Sequence, residues 1–282
     1  IESKSFFKDV CERFVKNKRA MIALVIFLII ALMAIFGPMI SPYSYDGMDT
    51  AIMNQRPSAA HWFGTDRFGR DLFTRVLYGA RISLMVGIVT AVINTIIGVI
   101  YGGIAGYVGG RVDMWMMRLT DILYSIPELL YIILIMLIFG SNVRSIIIGV
   151  CVAGWISMAR MVRSQIITLK EQEFALAAFV LGANSRRILF KHLIVNSLGT
   201  IIVTVTLMIP QAIFMEAFLS FVGVGISAPM ASLGTLAQDA RTYLEIFPYQ
   251  MLFPVAAICV TIFSLNFIGE GLNSALNPKG KR

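Results

Sequence analysis

The stretch EFALAAFVLGANSRRILFKHLIVN, residues 173–196, is the part of the sequence that is most informative about the fold. It is rich in alanine, is interrupted by Gly182, and holds charged or titratable side chains at Glu173, Arg186, Arg187, Lys191 and His192. The sequence on either side of it is apolar enough for lipid. A charged segment between two apolar runs predicts a loop that leaves the membrane between two spans.

The composition indicates a chain that lies largely in the membrane. Of its 282 residues, 57% are hydrophobic and only 14% are charged, and the mean hydropathy is +0.79. Soluble domains usually have about 25% charged residues. The net charge of +8 is typical of basic loops beside a membrane, and no basic stripe interleaved with aromatic residues indicates nucleic-acid binding. We therefore predict an all-α polytopic membrane protein that binds membrane lipid and no nucleic acid.

Six apolar runs have the length of a membrane span. They are continuous and do not alternate apolar with polar residues, so helices are favoured over barrel strands. The first run has no signal-peptide cleavage pattern and is predicted to be retained, and Pro127 is predicted to kink the third. The predicted spans are residues 20–40, 81–105, 120–140, 145–162, 198–222 and 248–272.

The distribution of lysine and arginine predicts the orientation. With the N-terminus inside, 17 of the 24 basic residues lie on the cytoplasmic side and 7 on the other. Both termini and the opening stretch are therefore predicted to be cytoplasmic. The predicted organisation is a cytoplasmic tail and first span (1–45), an extracytoplasmic loop (46–80), a core of five spans (81–275) with a cytoplasmic loop at 163–197, and a basic cytoplasmic tail (276–282).

The second half of the extracytoplasmic loop has apolar residues at helical spacing. Arg70, Asp71 and Arg75 lie between them in the sequence. This pattern predicts an amphipathic helix at the extracytoplasmic membrane surface, and a simple connector is the alternative. The apolar positions are Phe68, Leu72, Phe73, Val76 and Leu77.

The second span ends in a run of glycines, Gly98, Gly102, Gly103 and Gly106. Small residues four apart let helices approach closely in lipid, so a tightly packed helix pair is predicted. The sequence has no Walker-type phosphate loop, and its three cysteines have neither disulfide nor metal spacing. We therefore predict that the chain itself binds no cofactor or metal and is not an enzyme.

Two short helices are predicted within the opening stretch. The first, from Glu173 to Leu181, ends at Gly182, a residue typical of a helix C-terminus. Asn184 or Ser185 caps the second, which runs from Arg186 to Ile194. Small side chains at Ala177, Ala178 and Ala183 would let the first helix come close to another surface. A docking projection and a loop at the lipid headgroups are equally compatible with these residues.

The pattern Glu173-x3-Ala177-Ala178-x3-Gly182 resembles the cytoplasmic EAA loop of ABC importer permeases. More narrowly, the chain resembles the second permease of the oligopeptide and dipeptide ABC importers, over about 220 residues beyond Trp62. The stretches that carry the resemblance are GTDRFGRDLFTRVLYGARISLMVG (64–87), GYVGGRVDMWMMRLTDILYSIPELL (106–130) and GEGLNSALNPKGKR (269–282).

The resemblance implies a type I importer architecture in a bacterial cytoplasmic membrane. A peptide-binding protein captures the solute outside, a heterodimer of permeases forms the pathway, and two ABC ATPase subunits hold ATP and Mg. The outer connection at 220–248 resembles the part of the family near which the binding protein docks. The residues implied for the contact with the ATPase are Glu173, Ala177, Ala178, Gly182, Ala183 and Arg186.

One position departs from the family. Relatives commonly have a proline shortly after the second helix of the EAA loop, where this chain has Val195. Without that proline, the path from the loop to the fifth span is less constrained.

Glu128 and Glu216 lie inside predicted spans. A charge at membrane depth costs several kcal/mol, so such groups normally face a cavity or a partner. Both are candidates to line a solute pathway, and the alternative is that they anchor one helix to another.

Two other functions are compatible with parts of the sequence. A related importer for nickel or another small solute would share the same motifs. A secondary transporter driven by an ion gradient usually has more spans or an internal repeat, and neither is evident.

Overall fold

The computed structural model describes residues 6–276, and within this range the chain is helical, with no β-sheet. A 3-10 turn at Thr50–Ile52 and a π-helical turn at Ile188–Leu193 complete the regular structure. The helices are α1 Phe6–Lys16, α2 Lys18–Ile40, α3 Leu72–Val108, α4 Gly110–Ser125, α5 Glu128–Phe139, α6 Val143–Ala153, α7 Trp155–Lys170, α8 Glu173–Val180, α9 Ser185–Arg187, α10 Ile194–Val222, α11 Leu233–Arg241 and α12 Tyr249–Leu276.

The predicted all-helical membrane architecture is confirmed. The chain has five stretches long and apolar enough to cross a membrane, and a sixth when α4 and α5 are counted as one broken span. The break is a 76° bend, and Pro127 caps α5 at that point, as the predicted kink requires. The five unbroken stretches are Lys18–Ile40, Leu72–Val108, Val143–Lys170, Ser185–Val222 and Tyr249–Leu276.

The helices extend beyond several of the predicted spans because charged residues continue them. The second span begins at Leu72 rather than 81, the fourth extends to Lys170, and the fifth begins at Ser185. The predicted second helix of the opening stretch is therefore not separate, since it runs through the π-helical turn into α10. Beyond residue 276, the predicted basic tail lies outside the described residues.

The two ends of the helix bundle carry different connections. The α8 end holds α8 and both ends of the described chain, and the opposite end holds residues 41–71, 140–142 and 223–248. At the opposite end, the backbone N–H of Ser227 donates to the carbonyl of Ser141 at 3.1 Å. At the α8 end, Lys170 Nζ donates to the carbonyl of Tyr107 at 2.7 Å.

The glycine run of α3 packs directly against α7. A methyl group on Gly98 would lie 2.6 Å from Met158, one on Gly106 would lie 2.7 Å from the carbonyl of Arg163, and one on Gly102 would overlap the backbone of Ala159. Lipid is as apolar as the side chains, so close contact between helices, rather than escape from water, stabilises the pair. The predicted close helix pair is confirmed, and α7 is the partner.

The predicted amphipathic surface helix was wrong. Leu72, Val76 and Leu77 belong to the first turns of α3 and are buried, as are Arg70 and Arg75. The pattern was misleading because the polar face of this segment meets carboxylates instead of water.

Ion pairs attach the loop 41–71 to the end of the bundle opposite α8. Arg70 Nε donates to Asp66 Oδ2 at 2.6 Å, and the guanidinium groups of Arg70 and Arg75 lie 3.6 and 3.7 Å from Asp239 of α11. Arg75 also donates to the carbonyl of Tyr45 at 3.1 Å. A buried arginine is tolerated only when it is paired in this way. The loop, α3 and α11 are thereby joined into one unit.

We predict that Gly102→Ala destabilises the protein, whereas Gly103→Ala does not. The added methyl group at 102 collides with the Ala159 backbone, while at 103 it meets only Ile194 and Leu189 at an ordinary 3.6 Å. Overpacking of this kind costs about 2 kcal/mol, which corresponds to a fall in Tm of about 5 °C. Thermal unfolding of the two variants in mild detergent measures the difference. Equal Tm values for the pair would contradict the proposed role of the close contact.

Candidate docking segment and central cavity

Helix α8 is a short helix with defined stops at both ends. It follows α7 after the two residues Glu171 and Gln172. At its C-terminus, Gly182 has a φ of +81°, its N–H donates to the carbonyl of Phe179, and the N–H of Ala183 donates to that of Ala178, both at 3.0 Å. This is the Schellman arrangement that glycine favours, so the predicted helix stop is confirmed.

The next helical turn begins at once. The side chain of Asn184 accepts a hydrogen bond from the N–H of Arg187 at 2.8 Å, which identifies Asn184 rather than Ser185 as the cap. The chain therefore turns sharply between α8 and α9 and returns toward the helix bundle.

One face of α8 packs against the bundle. Ala175 and Ala178 are buried in a cluster with Met158 and Val162 of α7 and with Ile188 and Leu189 of the π-helical turn. Ala183 is partly buried against the same cluster. Their small side chains bring α8 close to its own bundle.

The other face of α8 is exposed and apolar. The exposed fractions of Phe179, Val180 and Leu181 are 69%, 81% and 87%, and Leu176 is also exposed. We call Leu176, Phe179, Val180 and Leu181 the α8 patch. The exposed side chains of Arg186 and Arg187 follow on α9. Apolar contact surface with arginine nearby is the composition of many protein interfaces.

The predicted contact residues divide between these faces. Glu173, Ala177, Gly182 and Arg186 are exposed, whereas Ala178 and Ala183 face the bundle. A methyl group on Gly182 would meet no atom of this chain within 4 Å. Glycine is therefore favoured at this position by the positive φ angle of the backbone, and not by a lack of space. Sequence reasoning missed the α8 patch, although the helical spacing of Ala175 and Ala178 could have indicated that the residues between them point outward.

An open cavity of about 680 Å³ lies between the membrane-spanning helices. Its walls come from α3, from the α4–α5 break, from the junction of α6 and α7, and from α10 and α12. Most of its lining is apolar, including Val150, Met208 and Phe214. Its polar lining residues are Asn94, Tyr124, Glu128, Ser157, Gln211 and Asn266.

The two predicted intramembrane acids occupy different environments. Glu128 is the first residue of α5 and lines the cavity. Glu216 is fully buried outside it, where it accepts hydrogen bonds from Ser83 of α3 at 2.6 Å and from Ser220 at 2.8 Å. The structure therefore does not bring the two carboxylates together. Glu216 joins α10 to α3.

Two ion pairs connect α7 to α4. The guanidinium of Arg163 makes a two-pronged contact with the carboxylate of Asp113. One turn earlier, Arg160 Nη2 donates to Asp121 at 2.9 Å, and this pair is more exposed. Bidentate pairs between arginine and a carboxylate restrict geometry as well as adding attraction. The first half of the broken span is thus held to α7.

Residues 6–276 contain no group of three His, Cys, Asp or Glu side chains that could hold a metal ion. The two histidines are at opposite ends of the bundle: His61 Nδ1 lies 2.9 Å from Asp71 at one end, and His192 belongs to the π-helical turn at the other. The notable features are therefore the exposed α8 patch and the cavity between the helices.

Comparison with known proteins identifies the family. Residues 98–282 match the family described as "Binding-protein-dependent transport system inner membrane component", and residues 5–57 match the "N-terminal TM domain of oligopeptide transport permease C".

Three relatives match over nearly their full lengths. The oligopeptide transport system permease protein OppC of Bacillus subtilis is 49% identical, covering 99% of this chain and 91% of its own length. The dipeptide transport system permease protein DppC of the same organism is 48% identical, covering 99% of this chain and 88% of its own length. Escherichia coli OppC is 45% identical, covering 100% of this chain and 94% of its own length. This chain therefore belongs to the inner-membrane components of binding-protein-dependent transport systems.

Proposed function

We propose that this chain is one of two permease subunits of an ATP-driven importer of oligopeptides or dipeptides. The support is its similarity to permeases named for these substrates, together with the geometry of α8 and the cavity. In this proposal the chain binds no ATP and is not an enzyme. ATP and Mg are held by two partner ATPases, and a peptide-binding protein delivers the solute from the other side.

The observation that carries the proposal is that the helices flanking α8 also form the cavity wall. Helix α7 lines the cavity with Ser157 near its start and leads into α8 after Lys170. Helix α10 follows α9 through the π-helical turn and lines the cavity from Met208 to Met215. A displacement of α8 therefore acts on two walls of the cavity through continuous helices.

We assign the α8 end to the cytoplasm. The basic side chains of Arg186, Arg187 and Lys191 lie there, and basic residues collect on that side. Both termini are then cytoplasmic too. The α8 patch is the surface we propose for the ATPase, with Glu173, Ala177, Gly182 and Arg186 around it. Ala178 and Ala183 pack on the other side, against the helix bundle.

The mechanism in this proposal is a shift between two arrangements of the bundle. Closure of the ATPases on ATP moves α8, and α7 and α10 carry the movement to the cavity, which changes the side that is open. The Arg163–Asp113 pair makes α4 follow α7, so the broken span that carries Glu128 moves as well.

The remaining partners follow from the same architecture. The second permease, a different chain in the related importers, would complete the pathway of which this cavity is half. The opposite end, with its charge-paired loop and α11, is the face we propose for the binding protein. Glu128 is the pathway acid in this proposal, and Glu216 is a helix anchor.

A permease for nickel or another small solute is the second candidate, since related permeases share the sequence motifs. Among the described residues the cavity wall offers a single carboxylate and no histidine or cysteine, which is a poor ligand set for a transition metal. The wall is better suited to an organic solute with hydrogen-bonding groups.

We predict that Val180→Asp breaks the contact with the ATPase. A carboxylate in the centre of an apolar contact is desolvated without a partner, so recovery of the ATPases should fall at least tenfold. The measurement is a pull-down of tagged chain from native membranes in a mild detergent. Val15→Asp is the matched control, because Val15 is also an exposed valine near the α8 end. Equal recovery of ATPases with both variants would refute the assignment of the patch.

We predict that peptide uptake depends on ATP and not on an ion gradient. Right-side-out vesicles containing the complex, with the binding protein added outside, should accumulate labelled trialanine when loaded with ATP. Uptake should be lost with a non-hydrolysable analogue and unchanged by a protonophore. Loss of uptake on adding the protonophore, with ATP still present, would favour a secondary transporter instead.

We predict that Arg163→Asp lowers the amount of peptide transported per ATP by about tenfold, because two carboxylates then face each other where α7 meets α4. The double variant Arg163→Asp with Asp113→Arg should recover most of the loss. Reversal of the exposed Arg160–Asp121 pair is the control and should change the ratio less than twofold. A normal ratio in Arg163→Asp would rule out this link in the mechanism.

A further inference from the structure

We propose that the cavity binds the protonated amino terminus of the transported peptide, with Glu128 as the counter-ion and the side-chain carbonyl of Asn94 as a second acceptor. This inference rests on the proposed function and assigns a chemical role to the cavity wall.

Glu128 is the one charged residue on the cavity wall among the described residues. Within residues 6–276 no side chain forms an ion pair or hydrogen bond with its carboxylate. A carboxylate in a membrane span needs a partner, and the open side of this one is the cavity.

Asn94 supplies a second unpaired acceptor. It lies on α3, is only 3% exposed and contributes to the cavity wall. Its Oδ1 has no hydrogen-bond donor among the described residues, and leaving a buried acceptor unpaired costs about 1–3 kcal/mol. The amide group lies against Gly154, where a methyl group would come within 2.5 Å of Nδ2.

A primary ammonium group matches these two acceptors. It has a positive charge and three N–H donors and accepts no hydrogen bond. A carboxylate and a carbonyl oxygen therefore complement it, and the wall offers it no competing cation. A compact metal ion would need three or more such ligands.

The rest of the cavity wall is compatible with the part of the peptide that follows the amino terminus. The side-chain amides of Gln211 and Asn266 can both donate to and accept from a peptide bond. Apolar residues such as Val150 and Met208 offer contacts with little directionality. A site that recognises the amino terminus and the backbone is indifferent to side chains, and this would let one permease transport many peptides.

The test is ligand-induced stabilisation of the purified complex, without the binding protein. The probes are trialanine amide, which has a protonated amine at pH 6.5 and no carboxylate, and N-acetyl-trialanine amide, which is neutral. At about 20 mM we expect trialanine amide to raise the Tm of the wild-type complex by about 2 °C and the acetylated peptide to leave it unchanged. The shift should be absent in Glu128→Gln and reduced by at least half in Asn94→Ala.

Glu245→Gln is the matched control, because it removes an exposed carboxylate at the opposite end of the bundle. It should retain the wild-type shift. Equal shifts with both peptides, no shift with either, or a shift that persists in Glu128→Gln would overturn the inference. None of these results bears on ATP-driven uptake, so the proposed function fails only if the vesicle measurement fails.

Discussion

The contact between α3 and α7 is the constraint on which the rest of the structure depends. Gly98, Gly102 and Gly106 let the two backbones touch, and in lipid such contact replaces the hydrophobic effect as the force that joins helices. Helix α7 is thereby fixed along α3, and it in turn carries α8 at one end and the ion pair to Asp113 on its side. The α8 patch and the cavity wall therefore share one support.

Parts of this arrangement could be predicted because local chemistry determines them. The stop of α8 at Gly182, the break at Pro127 and the glycine contact each depend on one residue type or on a short spacing. Other parts depend on partners distant in the sequence. The arginines at 70 and 75 looked like the polar face of a surface helix because Asp239, which meets them, lies more than 160 residues further on.

The candidate site also combines features that local sequence determines with features that depend on distant partners. The helix α8 was predictable, but which of its small residues face inward was not, since Ala177 and Ala178 are equivalent until the position of Ile188 and Leu189 is known. Asn94 gave no signal, because a lone amide in an apolar run can face another helix, a lipid headgroup or a cavity. The environments of Glu128 and Glu216 differ only through the helices packed around them.

The buried carboxylate of Glu216 has a consequence for how the chain enters the membrane. Its hydroxyl partners include Ser83, in an earlier span, and Ser220, one turn further along its own helix. Helix α3 is synthesised before α10. The hydroxyl group of Ser83, which donates to Glu216, therefore precedes this acid along the chain. Because a carboxylic acid in lipid needs a hydrogen-bond partner, this chain order gives Glu216 one as soon as α10 packs against α3.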